Sequence, residues 1–108
     1  MKEVQITNGV VILKDFCSRK LKREITNALS KGAEVKTVGD KQEVSNISFE
    51  AIENANDIAL IGMTEKIIIN GEEKAPSREV YDAMSVQDVN KVLAEVNKLT
   101  NPKDDLNA

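Results

Sequence analysis

Aromatic residues are scarce in this chain, and their scarcity limits the kind of core that it can build. Phe16, Phe49 and Tyr81 are the three aromatic residues among 108, whereas 41% of all residues are hydrophobic. The core must therefore consist mainly of Ile, Val, Leu, Ala and Met. A chain of this length can bury one modest core and not two. We predict a single small domain without an aromatic platform on which nucleic-acid bases could stack.

The first third of the chain is predicted to form a strand pair and a helix. Apolar residues at positions 4–13 flank the turn-favouring pair Asn8-Gly9, which predicts two short strands or a hairpin. Apolar residues at helical spacing then predict a helix over about residues 18–31, and Gly32 lies where a C-cap is expected. These helix residues are Leu21, Ile25, Ala28 and Leu29.

The middle of the chain is predicted to contain a connection, a central helix and a short strand. Residues 33–46 mix charged and small polar groups without a sustained period, so we expect an exposed, mobile loop. The run Ile67–Ile69 before Asn70-Gly71 fits either a strand or a continued helix, and its β-branched residues favour the strand. Between these segments, one apolar stripe predicts the most buried helix: Phe49, Ile52, Ala55, Ala59 and Met63.

Two serines mark the start of helices near the C-terminus. Ser77 is placed to cap a short helix, and Ser85, followed three residues later by Asp88, is placed to cap a last helix that continues to about Leu99. Asn101-Pro102 should end this helix, because proline cannot continue it.

These elements predict an α+β fold, mostly helical, with a short N-terminal β-sheet or hairpin. We expect residues 1–100 to form a single globular domain and residues 101–108 to form a flexible tail.

The charge is unevenly distributed along the sequence. Residues 1–41 contain nine Lys or Arg and five Asp or Glu, a net charge of +4, and residues 42–108 contain six and thirteen, a net charge of −7. This polarity is suited to head-to-tail association of copies or to contact with a charged protein partner. The overall net charge of −3 disfavours a general nucleic-acid partner, whose affinity would come from neutralised phosphates.

The residue types required for most catalytic chemistry are missing or isolated. The chain has no histidine, which is the commonest general base near neutral pH, and one cysteine, Cys17. A zinc site is therefore disfavoured, and Cys17 without a histidine partner is expected to be structural or incidental. Its five glycines form no phosphate-binding loop. We predict a protein that is not an enzyme and uses no metal or cofactor.

The single cysteine also excludes an internal disulfide and suggests a reducing compartment. No apolar run approaches the length of a membrane span, and the first residues lack the features of a signal peptide. We expect a cytoplasmic protein with no membrane partner.

Two groups of residues are candidates for partner contact. The basic face of the first helix carries Arg19, Lys20 and Arg23, which fit a solvated surface, a protein contact or, less well, phosphates. The apolar seam of the last helix includes Val89, Leu93 and Val96, which fit either core packing or an interface.

Three segments resemble the tail assembly chaperones of long-tailed bacteriophages and of prophages in Gram-positive bacteria. They are LKDFCSRKLKREITNAL at residues 13–29, SFEAIENANDIALIGM at residues 48–63 and SREVYDAMSVQDVNKVLAEVNKLTNP at residues 77–102. The resemblance implies a cytoplasmic factor that coats the long helical tape measure protein, helps to recruit tail tube subunits, and leaves before the tail is complete.

Two other functions stay open at this stage. A virion structural or head-tail connector subunit would share the small mixed fold but remain in the finished particle. A small DNA-binding regulator would use the basic helix, and its binding would be sensitive to salt and to Arg19→Glu or Arg23→Glu.

Overall fold

The predicted α+β architecture is confirmed by the structure, a computed structural model that describes residues 1–31, 34–38, 41–45 and 48–101. The described elements are, in order, β1 (Lys2–Ile6), β2 (Gly9–Leu13), α1 (Arg19–Lys31), β3 (Glu34–Val38), β4 (Lys41–Ser45), α2 (Phe49–Met63), β5 (Thr64–Ile69), β6 (Glu72–Lys74), α3 (Arg78–Asp82) and α4 (Val86–Thr100).

The main sheet is antiparallel throughout, with strand order β1-β2-β5-β6. Two tight turns shape it. Asn8 has a φ of 61° in the turn that joins β1 to β2, and Asn70 and Gly71 have φ values of 53° and 80° between β5 and β6. These left-handed conformations suit asparagine and glycine, which is why both Asn-Gly pairs indicate hairpins.

The predicted strand at Ile67–Ile69 is confirmed, and it is longer than expected. α2 passes into β5 without a loop, since the Thr64 backbone N–H caps the end of the helix by donating to the carbonyls of Ile61 and Leu60. The run of β-branched residues that follows favours the extended conformation. The sequence did not indicate the partner strand β6, whose three charged residues are all exposed.

The core lies between one face of the sheet and the helices. α1 packs along α2, while α4 packs against both α2 and β1. The side chains that are fully buried there are aliphatic, as the composition predicts: Leu13, Leu60, Met63, Ile67, Val11, Val92 and Val96. Close packing of such side chains leaves little tolerance for a change of volume.

The predicted serine caps are confirmed. The Ser77 hydroxyl accepts a hydrogen bond from the Val80 N–H at 3.2 Å, and the Ser85 hydroxyl accepts one from the Asp88 N–H at 3.1 Å. Each cap satisfies a backbone donor that the helix itself cannot pair, which is worth about 1 kcal/mol.

The expected stripe of α2 is wrong at its first two positions. Phe49 is 87% exposed and Ile52 is 39% exposed. The small side chains of Ala51 and Ala55 face inward at the start of this helix instead. The larger side chains of its first turns are therefore left in solvent.

The connection over residues 33–46 also differs from expectation. β3 and β4 form an antiparallel pair in which Glu34 is opposite Ser45 and Val38 is opposite Lys41. The prediction of a loop is wrong for these ten residues, because charged residues can occupy a two-stranded ribbon without an apolar period. Its predicted mobility stays a prediction. Gly32, the proposed C-cap, and the tail beyond residue 101 lie outside the described residues.

The last helix is attached to the first strand by two carboxylates. Both Asp88 carboxylate oxygens accept the Thr7 backbone N–H at 3.2 Å, and one accepts the Thr7 hydroxyl at 3.3 Å. Two turns further along α4, Glu95 Oε2 is 2.6 Å from Lys2 Nζ. Asp88 therefore accepts a hydrogen bond from the Thr7 N–H, which directly follows the edge strand β1. Unpaired backbone donors at a sheet edge can otherwise pair with another chain.

Candidate protein-interaction surface

The basic residues predicted for partner contact lie together on the surface of α1. Arg19, Lys20 and Arg23 are exposed, and none of them forms an ion pair with another described residue. The first turn of α1 contains no acidic residue. Cations near a helix N-terminus oppose the helix dipole, by about 0.3–1 kcal/mol each. Helix stability therefore does not explain this cluster.

An exposed aromatic side chain precedes this basic face. Phe16 lies in the connection between β2 and α1 and is 72% exposed. It borders a surface pocket of about 380 Å³, together with Lys14, Leu21 and Gly62. Sequence reasoning did not select Phe16 as a site residue. Its position directly before a cluster of cations could have suggested it.

The predicted contact residues of α4 divide into two kinds. Val96 has no exposed surface, so it belongs to the core and cannot contact a partner in the folded domain. Val89 and Leu93 are half-buried and pack at the edge of the core. Val89 and Leu93 lie on the same apolar side of α4 as Val96, but they remain partly accessible to solvent.

Val89 and Leu93 line a groove between α2, α3 and α4. The groove has a volume of about 400 Å³, within the usual range of binding pockets. Val86 forms part of its wall and is 75% exposed. Its remaining apolar lining comes from Leu60, Tyr81 and Met84.

The polar residues around this groove are acidic or neutral. Glu53, Asp57 and Asp82 line it together with two asparagines, and no described lysine or arginine does. Asp57 is 3.3 Å from Arg78 Nε, whereas Glu53 and Asp82 form no ion pair with a described residue. We call this feature the acid-rimmed groove. Its apolar floor and negative rim favour an apolar ligand flanked by cations.

The one tyrosine below the groove has a structural hydrogen bond. The Tyr81 hydroxyl pairs with the Thr64 hydroxyl, which in turn donates to the Leu60 carbonyl at 2.6 Å. Burial raises the pKa of Tyr81 above its usual value, and the hydrogen bond to Thr64 opposes this shift. The phenol therefore remains protonated near neutral pH. Its hydrogen-bond partner, Thr64, is the C-cap residue of α2.

A further apolar area lies at the start of α2. Phe49 and Ile52 are one helical turn apart, and both project into solvent. We call this pair the α2 patch. Residues at this spacing face the same way and can contact a second helix together.

Possible metal ligands within the described ranges are the cysteine and the acidic residues. Cys17 is a free thiol, half-buried, whose Sγ donates to the adjacent Ser18 carbonyl at 3.5 Å. No group of three or more Cys, Asp or Glu in the described ranges could hold a metal ion. Among the described helices, none has the length and apolar character that crossing a membrane requires.

Comparison with known proteins identifies no matching family model, no matching curated protein and no matching solved structure.

Proposed function

We propose that this chain is a non-enzymatic tail assembly chaperone, which binds the tape measure protein and tail tube subunits in the cytoplasm of a bacterial host. The proposal starts from the resemblance of its three segments to that family. The observation that carries it is the α2 patch, where Phe49, the first residue of the helix, is 87% exposed and Ile52 is exposed one turn later.

Leaving such side chains in water is unfavourable. Burial of a phenylalanine or isoleucine side chain is worth about 1.5–3 kcal/mol relative to exposure. The α2 patch fits a protein whose working state is a complex, in which a client covers the patch. A long helical client with apolar residues at i, i+3 and i+4 presents a surface of matching spacing.

The charge distribution suits the same role. Residues 42–108 carry a net charge of −7, and many bound copies would give an insoluble apolar client a charged exterior. A small domain can keep a client soluble in this way by binding to it in many copies, without changing it chemically.

Co-expression with the long helical open reading frame next to its gene tests the proposal. Size-exclusion chromatography with light scattering should detect a soluble complex with several copies per client. Phe49→Asp should remove it, since a charge at the centre of an apolar contact is strongly unfavourable. Asp in the first turn of a helix is favourable for folding, so the variant should remain folded.

Gln5→Glu is the matched control, because it adds the same charge at an exposed position of β1, which is distant in sequence from Phe49. A client that stays insoluble in the presence of the wild-type chain would contradict the chaperone role. Detection of the chain in purified particles would favour the structural-subunit alternative.

A further inference from the structure

The α2 patch continues into the acid-rimmed groove. Glu53 lies one helical turn after Phe49, and Asn56 lies one turn after Ile52; both polar residues line the groove. Leu60, one turn after Asn56, belongs to the apolar lining of the groove. Residues at this spacing share one side of a helix. The patch and the groove are therefore one surface, which runs along α2 for about 16 Å at 1.5 Å per residue.

The other side of this surface is formed by α4. Val86, Val89 and Leu93 follow one another at helical spacing, and all three line the groove. Val86 is 75% exposed, and the other two side chains are half-buried. Two helices with side chains arranged in this way form a channel into which a third helix can pack its apolar side. We call the patch and the groove together the α2–α4 surface.

The charge of this surface favours one kind of helix. Glu53 on α2 and Asp82 at the end of α3 are exposed, line the groove, and form no ion pair with a described residue. A third carboxylate of the lining, Asp57, is 3.3 Å from Arg78 Nε, which compensates its charge. Lysine or arginine beside the apolar side of a bound helix would therefore meet unpaired carboxylates from α2 and α3.

We propose that the α2–α4 surface binds an amphipathic helix whose apolar side is flanked by lysine or arginine. Phe49 and Ile52 contact one end of this helix, and the groove holds its other end. An apolar helix without cations would cover Glu53 and Asp82 and leave them unpaired, which is unfavourable. The inference rests on the proposed function for the source of the helix, the client, and adds the chemistry by which a client segment is selected.

Two designed peptides test this charge preference. Both have about 16 residues, long enough to span the surface as a helix, and the same leucines at helical spacing on an alanine background. One has lysine beside the leucines and the other has glutamate. Fluorescence anisotropy with the full wild-type chain should show that the lysine peptide binds about tenfold more tightly or better. The difference should shrink at about 1 M salt, where the screening length is about 3 Å.

Reversal of the rim charges gives the sharpest result. Glu53→Lys combined with Asp82→Lys should invert the preference, so that the glutamate peptide binds more tightly. Both positions are exposed, so the double variant should remain folded. Glu3→Lys combined with Glu24→Lys is the matched control, because it makes the same change of net charge at exposed positions of β1 and α1. This control should keep the preference for the lysine peptide.

Truncation of the apolar side chains tests the continuity of the surface. Phe49→Ala should weaken binding of the lysine peptide by about tenfold or more, because burial of the phenyl ring is lost. Val86→Ala should weaken it by a smaller factor, since it removes a smaller side chain. Phe16→Ala truncates the other phenylalanine, which does not line the groove, and should bind the peptide like the wild type.

Three results would overturn the inference. They are equal binding of both peptides by the wild type, a rim variant that still prefers the lysine peptide, and binding that Phe49→Ala leaves unchanged. A second copy of the chain covering the surface would appear in light scattering as an oligomer that binds neither peptide, which would also overturn it. Circular dichroism of each variant verifies that it is folded.

Failure of the proposed function is distinguishable from these results. If the client stays insoluble on co-expression while the peptides and variants behave as described, the chaperone role is wrong and the helix-binding surface is retained. If a soluble client complex forms while the rim charges have no effect on peptide preference, the chaperone role is retained and this inference is wrong.

Discussion

At Gly9 the sheet leaves no room for a side chain. A Cβ atom added there would overlap the carbonyl oxygen of Ile68, and it would also lie 3.0 Å from the Ile68 carbonyl carbon and 3.1 Å from the Ile69 Cα atom. All three are backbone atoms of β5, so no rotation of a side chain can relieve the contact. We predict that Gly9→Ala strongly destabilises the domain.

The expected loss of free energy of unfolding follows from the movement of β5 that the added Cβ atom requires. Ordinary carbon contacts are 3.5–4.0 Å, so β5 must withdraw from Gly9 by on the order of 1 Å. Overpacking of this kind costs about 1–3 kcal/mol. The same movement weakens the Asn70 N–H bond to the Asn8 carbonyl, now 2.8 Å, and the adjacent strand pairing, at about 1 kcal/mol for each hydrogen bond. We expect a total loss of about 3 kcal/mol, which lowers Tm by roughly 12–24 °C in a domain of this size.

Urea denaturation followed by circular dichroism measures this loss, and Gly71→Ala is the matched control. Gly71 has a φ of 80° but no atom within 4 Å of an added Cβ, so its substitution should cost only the conformational term of about 1–2 kcal/mol. If Gly9→Ala costs no more than Gly71→Ala, the close approach of β2 and β5 does not constrain the sheet and the reasoning is refuted.

Three further outcomes are expected. Asp88→Ala should lower the free energy of unfolding by about 2–3 kcal/mol in urea titrations, because charge-assisted hydrogen bonds to Thr7 are lost, and Asp88→Asn should lower it by less. Burial raises the pKa of Tyr81 above the usual tyrosine value of 10.0. The stability that the buried, protonated phenol contributes is therefore complete below pH 10.0 and is lost as the pH rises through the higher pKa of the folded state. An ultraviolet titration of this single tyrosine should show ionisation at a higher pH than in the unfolded chain. Hydrogen bonds from Lys2 and then from Lys98 lower the pKa of Glu95, so Glu95→Gln should destabilise the domain at neutral pH, and the difference from the wild type should vanish on acidification through the lowered pKa.

Local signals in the sequence predicted local structure well. Both Asn-Gly pairs mark hairpin turns, and Ser77 and Ser85 cap the helices that follow them. These features depend on backbone conformations and hydrogen bonds within a few residues, so the sequence contains the necessary information. At Ile67–Ile69, where the sequence fits either a helix or a strand, the β-branched residues correctly favoured a strand.

Features that depend on distant partners could not be predicted in the same way. Asp88 was interpreted as part of a local cap, whereas its carboxylate binds Thr7, 81 residues away in sequence. Val96 and Leu93 belong to one apolar seam, but only the structure shows that Val96 is buried and that Leu93 borders a groove. Periodicity identifies an apolar face, and the neighbouring elements determine which parts of it are covered.

The attachment of α4 to β1 has a consequence for synthesis on the ribosome. Translation at about 5–20 residues per second separates the appearance of Thr7 and Asp88, 81 residues apart, by roughly 4–16 s. During this interval the apolar face of the first hairpin, at Val4 and Ile6, lacks the helix that later packs against β1. The nascent chain therefore exposes an edge strand with an apolar face until α4 emerges. We therefore expect the apolar face of the hairpin to be protected from aggregation and proteolysis only after α4 has been synthesised.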